Sequence, residues 1–319
     1  MNVFPIGLAI KQARESQNLT RKELCFGICN ESTLLRIEKD ESFPSSFTIE
    51  SLIERLGLDL DKYVMLIKSP KEIELRNSFD EVEEFINIDL IDKADVLLKV
   101  IESKLSVIDS VSDKLASKTK IETQIAMHLR TAILQKQKAD TNNIVELAKK
   151  ALKFTLPDLR EYSIPNSLLT YREIALLNIL ACSCAKLGNP QQAVDLLSDI
   201  KSNIESQYFK NDKKSIGYVL TLYNLSNLLT DVFDYEASIE ICDLALMFCK
   251  KQNRFRLFPR IVFIKAYCLF YLEHSEDEYV DLMADAYQMS KYFEDFSSLK
   301  IMENFIKEND IAIRPQKSN

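Results

Sequence analysis

His128 and His274 are the only histidines, widely separated along the chain, and they give a metal site or a histidine base little to build on. The seven cysteines are odd in number, spread through helical stretches and without a Cys-x-x-Cys pair, so they read as reduced thiols filling small core positions. Five glycines leave no glycine-rich phosphate loop. Catalysis requires a convergent set of perturbed groups. None is legible here, so the expectation is no enzyme, no catalytic residue, no cofactor and no metal. Recognition chemistry has better material. Asn178, Asn224 and Asn227 each carry an amide with an acceptor and two donors, enough to pair with a peptide bond in either sense while a neighbouring pocket takes the ligand side chain.

Elements must hold those amides on one face. Five glycines and eight prolines in 319 residues disfavour a many-stranded β protein, so the fold class expected is all-α. Ser69-Pro70-Lys71-Glu72 reads as a capped helix start with proline in its first turn. A domain boundary just before it divides the chain into an amino-terminal domain over 1–68, a repeat domain over 69–313 and a disordered tail over 314–319. Within the repeat domain, helices of about 15 to 20 residues alternate with short breaks.

The clearest helix pair, Leu180-Ala181, Cys184, Gly188, Ala193, Leu197 and Ile200, resembles the small and large packing positions of a tetratricopeptide repeat. Looser copies run through Thr131-Ala132 with Ala148 and Ala151, through Leu225-Ser226 with Ala237 and Ala245, and through Ala266 with Leu282 and Ala286. Anchors at Ala132, Ala181, Ser226 and Ala266 are 49, 45 and 40 residues apart. That exceeds the roughly 34 of the standard repeat. Loops at Pro157 and Pro165 and at Asn211-Asp212 account for the excess. Such pairs stack into a right-handed superhelix with an extended concave surface suited to a linear ligand. With Ala181 and Ser226 in the small packing position, Asn178, Tyr223, Asn224 and Asn227 point to the concave side, joined by Arg130 from the earlier unit and by Lys265 and Tyr267 from the later one. The aromatic series Phe248, Phe255, Phe258, Phe263, Tyr267, Phe270 and Tyr271 reads as packing.

The amino-terminal domain is punctuated differently. A first helix over Ile6 to Ser16 places Ile6, Ala9, Ile10 and Ala13 on one face and ends at Asn18, which tolerates a left-handed cap. Thr20-Arg21-Lys22-Glu23 is a capping box opening a second helix. Asn30 or Ser32 caps a third, anchored by Leu34, Leu35 and Ile37. Thr48 is expected to cap a fourth helix through Ile49, Leu52, Ile53 and Leu56, stopped by Gly57. Five short helices in about 64 residues are expected in all, and two of them joined by a turn are what a major-groove reader requires.

Leu19-Thr20-Arg21-Lys22-Glu23-Leu24, Ile28-Cys29, Ser32, Arg36-Ile37-Glu38 and Pro44-Ser45 together resemble the repressor-type helix-turn-helix, specifically that of the PlcR/Rgg-like peptide-pheromone-responsive transcription regulators. A helix-turn-helix followed by tetratricopeptide-like repeats is that family's layout. The resemblance implies that Glu31, Ser32, Thr33 and Arg36 lie on the groove-facing side of the recognition helix, with Arg36 placed for a guanine or a phosphate. It puts Arg21, where the family usually has Gln, at a helix start facing phosphate. It makes Arg14 and Glu38 a pair tying the first helix to the recognition helix. It implies quorum sensing through a short signalling peptide held in the concave groove, and a homodimer reading a near-palindromic operator in double-stranded DNA.

Charge qualifies that picture. Residues 1–64 hold eight Lys or Arg against ten Asp or Glu, a net of −2, which is not a basic footprint. Six of those cations nevertheless fall in the first three helices, whereas seven of the acids lie at or beyond Glu38. So few phosphate contacts imply weak binding by one copy and a need for two on the duplex. No stretch approaches the roughly 18 apolar residues of a membrane span. Nothing at the start marks secretion, and a cytoplasmic protein is expected. A rival in another class is an interaction protein whose repeats grip a protein partner, without a pheromone or with a first domain that no longer binds DNA.

Overall fold

A computed structural model of the chain describes residues 6–42, 44–58, 70–109, 119–157, 164, 167–206 and 212–312. Among them are fifteen α-helices and no strand, the all-α class that the composition predicts. The domain junction at Ser69, the loop proline Pro165, Asn211 and the tail 314–319 lie outside the described residues.

The helices are α1 (Ile6–Ser16), α2 (Arg21–Cys25), α3 (Glu31–Glu38) and α4 (Ser46–Arg55), then α5 (Pro70–Asn87), α6 (Ile91–Asp109), α7 (Lys120–Lys136) and α8 (Thr141–Lys153). There follow α9 (Tyr171–Lys186), α10 (Pro190–Ser206), α11 (Asp212–Asp231), α12 (Tyr235–Gln252), α13 (Phe258–Tyr271), α14 (Glu276–Tyr292) and α15 (Phe296–Glu308). The chain divides into two compact units, residues 1–183 with 202–214 and residues 184–201 with 215–319.

In the first unit α1 to α4 follow the sequence punctuation closely. The capping box at Thr20 forms in both directions, with Thr20 N donating to Glu23 at 2.7 Å and Glu23 N donating to Thr20 Oγ1 at 3.2 Å. Asn18 takes the left-handed conformation, φ 54°, as its cap role requires. The cap of α4 is Ser45 rather than Thr48, which instead donates its backbone N–H to Ser45 Oγ at 3.3 Å. The hydroxyl one turn earlier wins because the cap must lie outside the helix. A fifth short helix before residue 64 would fall on residues 59–69, outside the described ones.

Ile10, Leu24, Leu34, Ile37, Ile49, Leu52 and Ile53 are fully shielded from solvent. Burial of such side chains contributes about 1.5–3 kcal/mol each. The same apolar cluster continues through Phe79, Val82, Leu98, Leu129 and Ile133 of α5, α6 and α7. Gly7 lets α1 approach α3: a Cβ there would meet Ile37 O at 1.9 Å, and Gly7 N donates to Asp40 Oδ1 at 2.9 Å.

In the second unit α13, α14 and α15 pack around Val262, Phe263, Ala266, Met283, Ala286 and Met302. Small residues set the approach of α11 and α12. Buried Ser238 Oγ donates to Ser226 O across the hairpin at 2.8 Å, which a larger residue at either position would prevent. Most of the helix–helix turns in the two units do not need glycine, although Gly188 at φ 89° closes the one between α9 and α10. Asp89, Lys138, Phe233, Glu273 and Glu294 all sit at φ between 55° and 62°, so a left-handed non-glycine residue closes turn after turn. Scarce glycine therefore coexists with many tight helix–helix turns.

Candidate DNA-reading face and peptide cavity

The first candidate site is built on α2 and α3. Leu34 and Ile37 turn one side of α3 inward, and the opposite side presents exposed Glu31, Ser32 and Arg36 with half-buried Thr33 beside them. Arg36 has no ion pair or side-chain hydrogen bond among the described residues, so its guanidinium is available to an outside acceptor. The helix is fixed from below. Arg14 Nε donates to Glu38 Oε1 at 2.6 Å and Arg14 Nη1 to Leu19 O at 2.8 Å, with both Arg14 and Glu38 buried. Hydrogen bonding to Glu38 raises the already high affinity of Arg14 for its proton. The Arg14–Glu38 tie is thus an interior pair rather than an exposed one. Arg21 joins it through Nε, 2.7 Å from Glu38 Oε2, and leaves the rest of its half-exposed guanidinium outward.

Sequence reasoning missed what holds the turn between α2 and α3. Arg55 Nη1 donates to Leu24 O at 3.2 Å and to Phe26 O, while Arg55 Nη2 pairs with Glu173 Oε1 of α9 at 3.1 Å. Lys120 Nζ of α7 donates to Gly27 O. Gly27 itself, at φ 67°, lies against the Thr155 backbone so closely that a Cβ would come within 1.8 Å of Thr155 O. The available signal was Arg55, a charge three residues after core Leu52, since a charge at core phase needs a buried partner.

The second candidate site is a cavity of about 290 Å³ in the second unit. One face each of three helices lines it: Tyr223, Asn227, Thr230 and Asp231 of α11 at helical spacing, Arg260, Phe263, Ile264 and Tyr267 of α13, and Ser297, Ser298, Ile301 and Met302 of α15. Buried Phe263, Ile264 and Met302 give it an apolar floor, and exposed Asn227, Asp231 and Ser297 stand at its rim with Ile301, a mix usual for a ligand site. Arg260 is held by Asp295 through two hydrogen bonds of 2.8 and 2.9 Å. Burial works against both charges, and these bonds more than offset it: Arg260 is raised and Asp295 is held well below the usual carboxylate range. Burial and the Tyr271 hydroxyl push the Tyr267 phenol up, so it stays neutral.

Of the residues expected on the concave side, the cavity brings together Tyr223, Asn227 and Tyr267. Asn224 is half-buried on the same helix and outside the lining. Lys265 is outside it too and pairs with Asp243. Asn178 and Arg130 belong to the other unit. Asn178 is 1% exposed and donates to Ile174 O at 2.9 Å, because α9 is buried on every side from residue 173 to 179 and offers no open face there. Arg130 pairs with Glu102 at 2.6 Å and with Asp95, and the fully buried small residue beside it is Thr131 rather than Ala132, a phase one residue earlier than expected. Phe263 and Tyr267 of the aromatic series line the cavity as well as packing, and Tyr267 lies 5.0 Å from Phe305 between ring centroids.

No group of three His, Cys, Asp or Glu among the described residues is placed to hold a metal ion, and no described helix is long and apolar enough to cross a membrane.

Residues 158–312 match the RNPP family C-terminal domain, and residues 10–63 match a helix-turn-helix. No curated protein matches the chain by sequence. Among solved structures, Bacillus thuringiensis PlcR in complex with the peptide PapR7 and DNA is similar at 19% identity and a TM-score of 0.60, over 93% of this chain and 98% of that one. The apo form of the same PlcR is similar at 19% identity and a TM-score of 0.55, over 94% and 98%. The apo competence regulator ComR from Streptococcus vestibularis is similar at 15% identity and a TM-score of 0.52, over 97% and 99%. At such identities the likeness is one of fold, and it runs the length of both chains. A helix-turn-helix thus stands ahead of an RNPP family C-terminal domain in this chain.

Proposed function

We propose that the protein is a peptide-responsive DNA-binding transcription regulator. The observation that carries this reading is the exposed face of α3, where Arg36 and Ser32 stand free on a helix whose other side is locked by Arg14 and Glu38. A groove-reading helix needs that combination of rigid seat and unengaged polar face. Glu31, Thr33 and the outward part of Arg21 complete the contact surface. Residues 1–68 supply the DNA-binding domain and residues 69–313 the sensor, in the cytoplasm. Two copies act together, because a net charge of −2 over residues 1–64 gives a single copy little hold on phosphate.

The second half of the reading is that a short signalling peptide occupies the cavity of the second unit, with Asn227 pairing its backbone and Tyr223 and Tyr267 flanking it. PlcR is solved with a peptide and DNA, and ComR from S. vestibularis with its signalling peptide XIP, which supports the same pairing of ligands here. A peptide controls DNA binding only to the extent that it prefers one arrangement of the chain over another.

The test is selection of duplexes from a random library by the purified full-length protein. Enrichment of a near-palindrome, lost in Arg36→Ala, is the expected result. Enrichment of nothing by the folded protein, with or without a peptide library present, overturns the DNA-binding reading.

A further inference from the structure

We propose that the ligand of the α11–α13–α15 cavity is a peptide that presents a cationic group to Asp231 and seats an adjoining apolar side chain on the floor formed by Phe263 and Met302. This rests on the reading that the cavity is the peptide site, and adds the chemical class of peptide it accepts.

Charge bookkeeping around the cavity points to a cation. Arg260 is the one basic residue on the wall, and its fork is already satisfied by Asp295 and by Ser297 Oγ at 3.3 Å. Asp231 has no ion pair or hydrogen bond among the described residues. Its carboxyl is raised by partial desolvation with no basic group opposing that effect, although the residue as a whole reaches solvent at the rim. Asp231 is also the last residue of α11, where the negative end of the helix dipole adds to its own charge. A ligand that fills the cavity strips more water from this carboxylate, which is unfavourable unless the ligand brings an opposite charge.

The remaining walls suit the same ligand. Tyr223 and Tyr267 contribute aromatic rings to the lining, and ring faces favour a cation. Phe263 and Met302 are buried at the floor, and Ile301 stands 63% exposed at the mouth, an apolar side chain left for a ligand to cover. A volume of about 290 Å³ holds two or three side chains rather than a whole signalling peptide, so this is an anchoring subsite. The cation is a Lys or Arg side chain or the peptide's terminal ammonium.

Selection of a random octapeptide library with a free amino terminus, against the full-length wild-type protein and Asp231→Asn and Asp231→Lys variants, tests this. Wild type should enrich peptides with Lys, Arg or the amino terminus one to three positions from an apolar residue. Asp231→Asn should weaken a selected peptide about ten-fold and flatten its salt dependence, while Asp231→Lys should switch enrichment to Asp or Glu. Acetylating the selected peptide's amino terminus separates the two sources of charge: lost binding assigns the terminal ammonium, retained binding the side chain. Enriched peptides that need Asn227 and Tyr267 but carry no cation, or that bind Asp231→Asn equally well, overturn the charge proposal and leave the peptide site standing. Peptides indifferent to Asn227→Ala and Tyr267→Ala, or no enriched peptide, overturn the site and the proposal together.

Discussion

Arg55 and Glu173 face each other at 3.1 Å with side chains 1% and 0% exposed, joining the last helix of the helix-turn-helix to α9. The same arginine also caps the carbonyls of Leu24 and Phe26, so one guanidinium holds both the α2–α3 turn and the α4–α9 contact. Removing Glu173 strands the buried Arg55 charge, at a cost of about 3–5 kcal/mol, whereas removing both side chains avoids the stranded charge but leaves the carbonyls of Leu24 and Phe26 unpaired. Glu173→Gln is therefore expected to lower stability by about 3–5 kcal/mol, and the double variant Arg55→Met with Glu173→Leu to recover only the part due to the stranded charge, because the Leu24 and Phe26 carbonyls stay unpaired. Denaturant titration of the single and double variants checks it. A single-variant loss below about 1 kcal/mol, the range of exposed pairs, would show that the pair does not hold these elements together.

On DNA, Arg36→Ala is expected to cost about 1–3 kcal/mol at a selected operator and to relax one base position. Arg21→Ala should instead weaken all duplexes alike and reduce the salt slope by about one. Its loss leaves Glu38 paired with Arg14, so the seat of α3 should survive. Fluorescence anisotropy at several salt concentrations separates the two effects. Equal losses on operator and random duplex for Arg36→Ala would place the base-reading side chain elsewhere.

Local chemistry was legible in the sequence where it acts over a few residues. The capping box at Thr20, the left-handed Asn18 and the Arg14–Glu38 tie each depend on short spacing or on a motif, and each forms. Repeat phase was less legible. It carried Tyr223, Asn227 and Tyr267 to one cavity, yet it also selected Asn178, because a period of 3.6 tells which residues share a face but not whether that face is covered by another helix. Residues 173–179 of α9 are covered all round. The clamp of Arg55, Glu173, Lys120 and Thr155 on the recognition turn depends on positions up to 118 residues apart, which no local pattern reports.

His128 is buried and its Nδ1 lies 3.0 Å from Arg172 Nη1, and burial together with that cation pushes its pKa down to about 3. The folded protein keeps this imidazole neutral, while an unfolded chain protonates it below about pH 6.5. Its contribution to stability is therefore fully present above pH 6.5 and is lost as pH falls toward 3, at about 1.4 kcal/mol per pH unit. His128→Gln should remove that slope from the pH dependence of the urea midpoint between pH 6 and 4. An unchanged slope would mean that other groups dominate acid unfolding.

The last expectation separates the asparagine of the interior from that of the cavity. Asn227 is exposed on the cavity wall, so Asn227→Ala should leave the melting temperature near wild type and weaken a selected peptide about five- to a hundred-fold by leaving a peptide group of the ligand unpaired. Tyr267→Phe should act in the same direction only if the hydroxyl itself meets the ligand. Asn178 is sealed inside the first unit with its amide on Ile174 O, so Asn178→Ala should lower stability by about 1–3 kcal/mol while peptide affinity of the folded fraction is unchanged. Calorimetric titration with a library-selected peptide, run beside thermal melts of the same samples, reads both quantities. A folded Asn178→Ala protein that loses the peptide, beside an Asn227→Ala protein that keeps it, would move the ligand from the α11–α13–α15 cavity to α9.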